Sequence, residues 1–381
     1  MSAAPALPVW VDRVLLPLVC LAVALGCAGG VVLLVGQSPV QVMGVLLDGA
    51  FGSPRGLCYV LYYATTFVFT GLAVAVAFHG GLFNIGGEGQ AVVGGLATGL
   101  VALWLSPYVP AWVMLPLMVA AGALGGALWA AVPGYLQAYR GSHIVITTIM
   151  FNFIAASVLV YIMVKHVRAP GSMAIESAAF APSAVLPSMQ TALGWFGVDW
   201  VGSPLNLSFF LAIAASVGVY LFLWHSRSGY RLRVVGASPG AAQYAGIRVQ
   251  RHVMVSMAIS GALAGLVGMN EISGVSGRLL LEFVSGAGFT GIGVALMGRN
   301  HPVGIVLASL LFGALFQGGA EVSFEVPGFG RDMVVMLQGF IVLFSGAMTY
   351  VIAPWLARGL AGLAWLAQRL QPAKDQERYR G

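Results

Sequence analysis

The chain has 381 residues, of which 59% are hydrophobic and only 8% are charged, and its formal net charge is +6. Soluble domains carry about 25% charged residues, so this sequence has too few polar side chains to cover a surface in water. The composition excludes a soluble enzyme or a soluble nucleic-acid-binding protein. It predicts an all-α membrane protein that crosses the bilayer several times.

Ten apolar runs approach the length of about twenty residues that a helix needs to cross the hydrocarbon core. The first run is too long for the core of a signal peptide and predicts an uncleaved helix. The predicted spans lie near 15–36, 57–78, 89–105, 111–132, 143–164, 206–224, 253–272, 284–298, 301–320 and 333–352.

The distribution of positive charge predicts the orientation of these spans. Ten spans place both termini on the same side of the membrane. If that side is the cytoplasm, thirteen of the 18 Lys and Arg residues fall inside and five fall outside. Because Lys and Arg accumulate in cytoplasmic loops, both termini are predicted to be cytoplasmic. We expect one transmembrane domain over 1–381, and its last part, 353–381, should form an interfacial helix and a tail.

The third predicted span begins with GLFNIGGEGQ, residues 81–90, where Asn84, Glu88 and Gln90 interrupt an apolar sequence. Polar side chains at membrane depth are costly in lipid and usually functional. Broken, glycine-rich backbone at that depth is tolerated only inside protein or beside a water-filled cavity. The motif therefore predicts part of a substrate path. A second interpretation is that 79–90 forms a cytoplasmic turn, in which Asn84 and Glu88 are solvated or cap the next helix.

A weak internal repeat supports the first interpretation. Residues 282–296 resemble 82–96, with Gly286 aligned to Gly86, and both stretches open a short glycine-rich span. Each stretch starts the third span of a five-span half, and because five is odd, the second half enters the membrane from the opposite side. The sequence thus predicts two inverted halves, about 1–164 and 206–352. Matching interrupted segments in such halves mark the substrate path of many transporters.

The predicted cytoplasmic loop 225–252 is strongly basic and contains a short helix. Ser238 is a natural N-cap, Pro239 suits the first helical position, and Gly246 can end the helix in the left-handed conformation. An isolated helix this short is marginal in water, so it needs a docking surface. A soluble partner could supply that surface, or the surrounding arginines could hold the helix to anionic lipid headgroups.

Three other glycine-containing stretches need no ligand to explain them: two predict close helix packing, and one matches a nucleotide-binding motif by chance. GLATG at 95–99 and GALAG at 261–265 place small residues four apart, which lets membrane helices approach closely. GAGFTG at 286–291 matches a dinucleotide fingerprint, but its flanks are predicted spanning helices and no strand precedes it. We expect the chain to bind no nucleotide through this stretch.

Four stretches resemble permease subunits of bacterial ABC importers, in the group of branched-chain amino acid, simple-sugar and nucleoside permeases. GLFNIGGEGQ resembles the GLFNIGAEGQ pattern of nucleoside and simple-sugar members. Residues 234–247 resemble the pattern AVGANPEAARYAGI of the segment that couples such permeases to their ATPase, but Ser238, Gly240 and Gln243 replace the Asn, Glu and Arg of the pattern. These departures put the strength of docking in doubt. The other stretches are IVITTIMFNFIA at 144–155, VVGASPGAAQYAGI at 234–247 and GAGFTGIGVALMGRNHPVGI at 286–305.

The resemblance implies partners and roles. Two permease chains, often different ones, would form the pore in the bacterial inner membrane. Cytoplasmic ATPase subunits would use ATP and Mg²⁺, and an extracytoplasmic binding protein would deliver the substrate. The chain itself would hold no cofactor, no metal and no catalytic residue. The ATPase-coupling helix would comprise Ser238, Pro239, Ala242, Tyr244 and Gly246.

The expected substrate is a nucleoside, with a simple sugar as the alternative. Amide and carboxylate groups can hydrogen-bond base edges or ribose hydroxyls, and phenylalanine rings can stack on a base. A proton-coupled secondary transporter, with Glu88 as its proton site, is a rival from another class. The residues predicted to line the substrate path are Phe83, Asn84, Glu88, Gln90, Asn152 and Phe289.

Overall fold

The computed structural model describes residues 15–326, apart from 172 and 199, together with 11, 333–336, 339–340, 343, 354 and 357. Within this part the chain is helical, with only two isolated β-bridges, because helices satisfy every backbone group inside lipid. The helices are α1 (Leu16–Leu34), α2 (Pro39–Phe51), α3 (Pro54–His79), α4 (Gly87–Leu105), α5 (Ala111–Arg140), α6 (Ile144–Ile162), α7 (Met189–Gly194), α8 (Ser208–His225), α9 (Arg227–Ala237), α10 (Pro239–Tyr244), α11 (Val249–Gly265), α12 (Ala287–Met297) and α13 (Pro302–Glu325).

The number of helices able to cross a membrane is lower than the sequence suggested. In the described part, seven are long and apolar enough, or up to eight if α1 and α2 together form one broken span. The seven are α3, α4, α5, α8 and α13, together with α6 extended to Val167 and α11 extended to Ser276. All seven coincide with predicted spans. The count of ten and the inverted halves are not confirmed, and the predicted span 333–352 and tail 353–381 lie almost entirely outside the described residues.

The predicted span 284–298 is not confirmed as one continuous helix. It contains only α12, an apolar helix of 11 residues, whose length of about 16 Å is roughly half of the ~30 Å hydrocarbon core. The helix begins only at Ala287 because Ser285 and Gly286 adopt positive φ values of 49° and 81°, which a right-handed helix does not accommodate. Helix α2, at 39–51, was not predicted at all.

The helices after α1 pack together. They fall in one compact unit, Val40–Val334, whereas α1 falls in another, Met1–Pro39 with Val335–Gly381. Helix α3 is the most enclosed of the seven, and it packs against α8, α11, α12 and α13. Helix α4 lies among α5, α6, α11 and α12, and α12 packs against α3, α4 and α13.

Three helices begin with proline after a residue whose side chain caps the first turn. Oγ of Ser53 accepts a hydrogen bond from the amide of Gly56 at 3.0 Å, before α3. Nδ1 of His301 accepts one from the amide of Val303 at 3.3 Å, before α13. The third case is Ser238 before α10. Proline lacks the amide hydrogen that would be unpaired there, so these starts are sharply defined.

Glycines bring α5 and α11 into backbone contact. A Cβ atom on Gly261 would overlap the carbonyl oxygen of Gly126, and one on Gly265 would overlap that of Gly122. Gly94 of α4 lies against the Cα atom of Gly265 in the same way. Small residues are what allow membrane helices to approach this closely, so the packing role predicted for 261–265 is confirmed.

We expect Gly261→Ala to lower the free energy of unfolding of the purified protein by about 2 kcal/mol, because overpacking a tight interface costs about 1–3 kcal/mol. Thermal unfolding in detergent, followed by tryptophan fluorescence, measures the change. Gly218→Ala in α8 is the matched control, since nothing lies within 4 Å of its added methyl group. An equal response of the two variants would show that the α5–α11 contact is not tight.

Candidate functional site

The 81–90 motif runs as non-helical backbone up to Gly86, and α4 starts at Gly87. Asn84 is buried there, and its amide nitrogen donates to Oγ of Ser260 at 2.9 Å and to Oε1 of Gln90 at 3.0 Å. Its carbonyl oxygen accepts from the backbone of Gly86 at 2.9 Å and from Nε2 of Gln90 at 3.1 Å. Asn84 and Gln90 therefore hold the loop closed and fasten it to α11.

Asn152 braces the same loop from α6. Its carbonyl oxygen accepts from the backbone amide of Gly89 at 2.9 Å, and its amide nitrogen donates to the carbonyl oxygen of Ile85 at 3.0 Å. Buried non-helical backbone needs side-chain partners of this kind, because its amide and carbonyl groups are shielded from water. Asn152 thus supplies both a donor and an acceptor to the interrupted segment.

Glu88 joins the two interrupted segments. Its carboxylate accepts hydrogen bonds from the backbone amides of Gly286, at 2.9 Å, and Gly288, at 2.8 Å, where α12 begins. A negative side chain at a helix N-terminus satisfies amides that have no partner within the helix and opposes the helix dipole. Gly288 has no room for a side chain, because a Cβ atom there would overlap the backbone nitrogen of Glu88.

The predicted path residues therefore divide into two groups. Asn84, Glu88, Gln90 and Asn152 all bind other parts of the protein. By contrast, Phe289 is 47% exposed and Phe83 is half-buried, so these rings are the more accessible surfaces. A direct contact with substrate stays a prediction for all six.

Sequence reasoning missed a second polar cluster, around Glu271. The residue lies in a π-helical stretch, Met269–Ser276, that continues α11. The hydroxyl groups of Tyr62 and Thr66 on α3 both donate to its carboxylate, that of Thr66 at 2.5 Å. Within the described part of the chain, no basic side chain forms an ion pair with it. The missed signal was two adjacent polar residues, Asn270 and Glu271, inside the predicted span 253–272.

Asn270 extends this cluster to a third helix. Its amide nitrogen donates to the Thr66 hydroxyl oxygen at 2.7 Å. Its carbonyl oxygen accepts from Nδ2 of Asn206 at 3.0 Å and from the hydroxyl of Ser208 at 2.8 Å, at the start of α8. Ionisable groups in membrane spans and π-helical turns both concentrate at functional positions, so the cluster is a second candidate site.

The coupling segment has the predicted form. Oγ of Ser238 accepts from the amide of Ala241 at 3.4 Å, Pro239 opens α10, and Gly246 follows it with a positive φ of 73°. Ala242 is fully buried, whereas Tyr244 is 98% exposed. Helix α10 therefore packs on the protein by one face and leaves the other face exposed.

Helix α9 connects this segment to the 81–90 loop. Gly236 near its end lies against the carbonyl oxygen of His79 and the backbone of Gly80 and Gly81. The ring of Trp224 lies 5.3 Å from that of His79 and 4.9 Å from that of His301. The ends of α3, α8 and α9 and the start of α13 therefore meet at the same end of the helix bundle.

Comparison with known proteins gives one family and several relatives. Residues 56–346 match the model of the branched-chain amino acid transport system / permease component family. A guanosine ABC transporter permease protein of Bacillus subtilis is 35% identical over 357 residues, which cover 91% of this chain and 98% of the relative. No solved structure shows a significant match.

Two further relatives differ in the substrate that their names state. A nucleoside ABC transporter permease protein of Lactococcus lactis is 31% identical over 350 residues, covering 92% of this chain and 94% of the relative. A glucose ABC transporter permease protein of Haloferax volcanii is 33% identical over 330 residues, covering 86% of each chain.

Proposed function

Because this chain belongs to the branched-chain amino acid transport system / permease component family, we propose that it forms the path for nucleosides in an ABC importer. It is an integral protein of the inner membrane and a permease component. The relatives named for guanosine and nucleosides cover more than nine-tenths of the chain and carry the substrate assignment. The glucose relative, at similar identity, makes a simple sugar the second candidate.

We propose that α10 docks on a cytoplasmic ATPase subunit. Its exposed Tyr244 beside the buried Ala242 supports this proposal, because a short helix with one free face needs an external surface. The partner ATPase would hydrolyse ATP with Mg²⁺, and this chain would bind neither and catalyse no reaction. A second permease chain would complete the pore, and an extracytoplasmic binding protein would deliver the substrate.

We propose further that the chain has ten spans in two inverted halves. The support is local: a non-helical segment precedes α4 at 80–86, another precedes α12 at 277–286, and the two helix starts meet through Glu88. Two interrupted segments in corresponding positions are the expected mark of such repeats. The half-length helix α12 would then complete a span together with the segment before it.

The contacts also support a route for the ATP-driven movement. ATPase closure would displace α10 and the end of α9. Gly236 would transmit this displacement to Gly80 and Gly81, against which it packs. The loop would carry it to Glu88 and so to the start of α12. Binding and release of ATP would in this way open the path to one side and then to the other.

Uptake in cells tests the proposal. We expect deletion of the gene to abolish uptake of labelled guanosine, while leaving uptake of labelled ribose, glucose and leucine unchanged. Depletion of ATP should stop the remaining transport in wild-type cells, and a protonophore added at constant ATP should not. Loss of glucose or ribose uptake instead would move the assignment to the second candidate. Uptake that survives ATP depletion but stops with the protonophore would contradict the ABC mechanism.

A further inference from the structure

Glu282 is an exposed carboxylate that lies at the depth of the membrane. It belongs to the non-helical segment 277–286 that precedes α12. Its depth follows from α4, one of the spanning helices. A Cβ atom on Gly95 would overlap the ring of Phe283, and Gly95 is the ninth of the 19 residues of α4. Because Phe283 follows Glu282 directly, Glu282 lies at the level of the middle of α4.

A carboxylate at this depth is not expected to face lipid. Charged side chains near the centre of a bilayer are unfavourable unless they meet water or a partner. Glu282 forms no ion pair with any residue that the structure describes, and the rest of this chain leaves it exposed. The surface around Glu282 therefore borders either a water-filled space or another protein chain.

Two more exposed residues extend this surface. Oγ of Ser285 donates to the backbone carbonyl oxygen of Glu282 at 2.6 Å, so these two residues are neighbours in space. Ser285 is exposed, and Phe289, in the first turn of α12, is 47% exposed. We call Glu282, Ser285 and Phe289 the 282–289 face. The opposite side of the same stretch is buried and comprises Phe283, Val284, Ala287 and Gly288.

An exposed face on α8 shows what a lipid-facing surface looks like in this chain. Val217, near the middle of α8, is 53% exposed, and Phe210, Ile213 and Leu221 are exposed on the same side. All four side chains are apolar, as contact with hydrocarbon requires. The 282–289 face instead combines a carboxylate, a hydroxyl group and an aromatic ring, which is a composition typical of a surface that receives a polar solute.

We propose that the 282–289 face lines the water-filled substrate path at the middle of the membrane, and that the Glu282 carboxylate makes the electrostatic potential there negative. Contact with water rests on the structure alone, whereas the identity of the water-filled space as the substrate path rests on the proposed function. A negative potential disfavours anionic solutes. The path would therefore admit neutral nucleosides or sugars and reject their phosphorylated forms.

The reactivity of introduced cysteines tests this proposal. Ser285→Cys and Phe289→Cys are each made in a Cys27→Ala chain, because the other two cysteines, Cys20 and Cys58, are buried. Membranes that contain the full chain with its native partner subunits are treated on both sides with cationic or anionic methanethiosulfonate reagents, with and without ATP and Mg²⁺. The Cys27→Ala chain alone gives the background rate.

We expect both cysteines to react about a hundredfold faster than Val217→Cys, the lipid-facing control, in at least one of the two nucleotide conditions. The reason is that hydrocarbon excludes a charged reagent by about this factor. If neither cysteine reacts faster than Val217→Cys in either condition, lipid or another protein chain covers the 282–289 face, and the proposal is wrong.

A second measurement tests the role of Glu282. Relative to a free thiol in solution, Ser285→Cys should react about tenfold faster with the cationic reagent than with the anionic one, because a nearby carboxylate attracts the first and repels the second. Glu282→Gln should remove this preference. The control Glu325→Gln, which changes an exposed carboxylate at the end of α13, should leave it intact. A preference that survives Glu282→Gln would contradict the proposed potential.

Two precautions keep these outcomes decisive. Ser285 has a positive φ, so if Ser285→Cys fails to assemble, Phe289→Cys carries both measurements. The deletion assay separates this proposal from the proposed function. Reactive cysteines in a chain that guanosine uptake does not require would refute the proposed function and leave the water-filled face in place. Uptake that requires the gene, together with unreactive cysteines, would refute only the 282–289 face.

Discussion

Replacing Glu88 with leucine is expected to reduce substrate uptake about a hundredfold, or to remove the protein from the membrane. The substitution leaves the amides of Gly286 and Gly288 without their acceptor at the start of α12. Unpaired buried amides cost about 1–3 kcal/mol each, and about 3 kcal/mol corresponds to a hundredfold change. Uptake of the substrate found in the deletion assay, normalised to protein in the membrane, measures the effect.

The length of the Glu88 side chain makes the test specific. Glu88→Gln keeps one acceptor at the same reach and should retain more uptake than Glu88→Leu, whereas Glu88→Asp should be impaired because it is one methylene shorter. Glu325→Leu changes an exposed carboxylate at the end of α13 and is the matched control. Full uptake by Glu88→Leu would show that α12 does not depend on this capping interaction.

Glu271→Leu should have the second largest effect, on stability as well as on transport. It removes the acceptor for the hydroxyl groups of Tyr62 and Thr66, which lie on the buried helix α3. Two hydroxyl groups left unpaired away from water cost about 3 kcal/mol together. We expect a lower melting temperature of the purified protein in detergent and reduced uptake.

Glu271→Gln separates a packing role from a role in the path. Glutamine keeps one oxygen for Tyr62 or Thr66, so a purely structural cluster should recover most of the lost stability and uptake. If Glu271→Gln has wild-type stability but an altered KM for the substrate, the carboxylate contacts the path. A wild-type melting temperature for Glu271→Leu would contradict the bonding described here.

Hydropathy predicted the spanning helices well, because bilayer thickness sets the length of an apolar run. It overestimated 284–298, since composition alone cannot show that positive φ values at Ser285 and Gly286 delay the helix. It also missed α2, whose 13 residues are too few for a span.

The polar positions of the site were predictable, but their partners were not. Asn84, Glu88 and Asn152 stand out in an apolar sequence, yet Asn152 binds a backbone amide 63 positions away and Glu88 binds one 198 positions away. Contacts over such separations depend on tertiary packing, which one sequence does not reveal. Glu271 was missed although it is a charged residue inside a predicted span, because its partners Tyr62 and Thr66 lie 209 and 205 positions away.

The glycine contacts among α4, α5 and α11 constrain how this permease can change shape. Backbones that touch without intervening side chains cannot slide past each other, because carbonyl oxygens would collide with Cα atoms. These three helices should therefore move as one rigid block. Rearrangement is left to interfaces filled by side chains, such as the rings of His79 and Trp224 between α3 and α8, where rotamer changes can absorb a helix shift of about 1–2 Å.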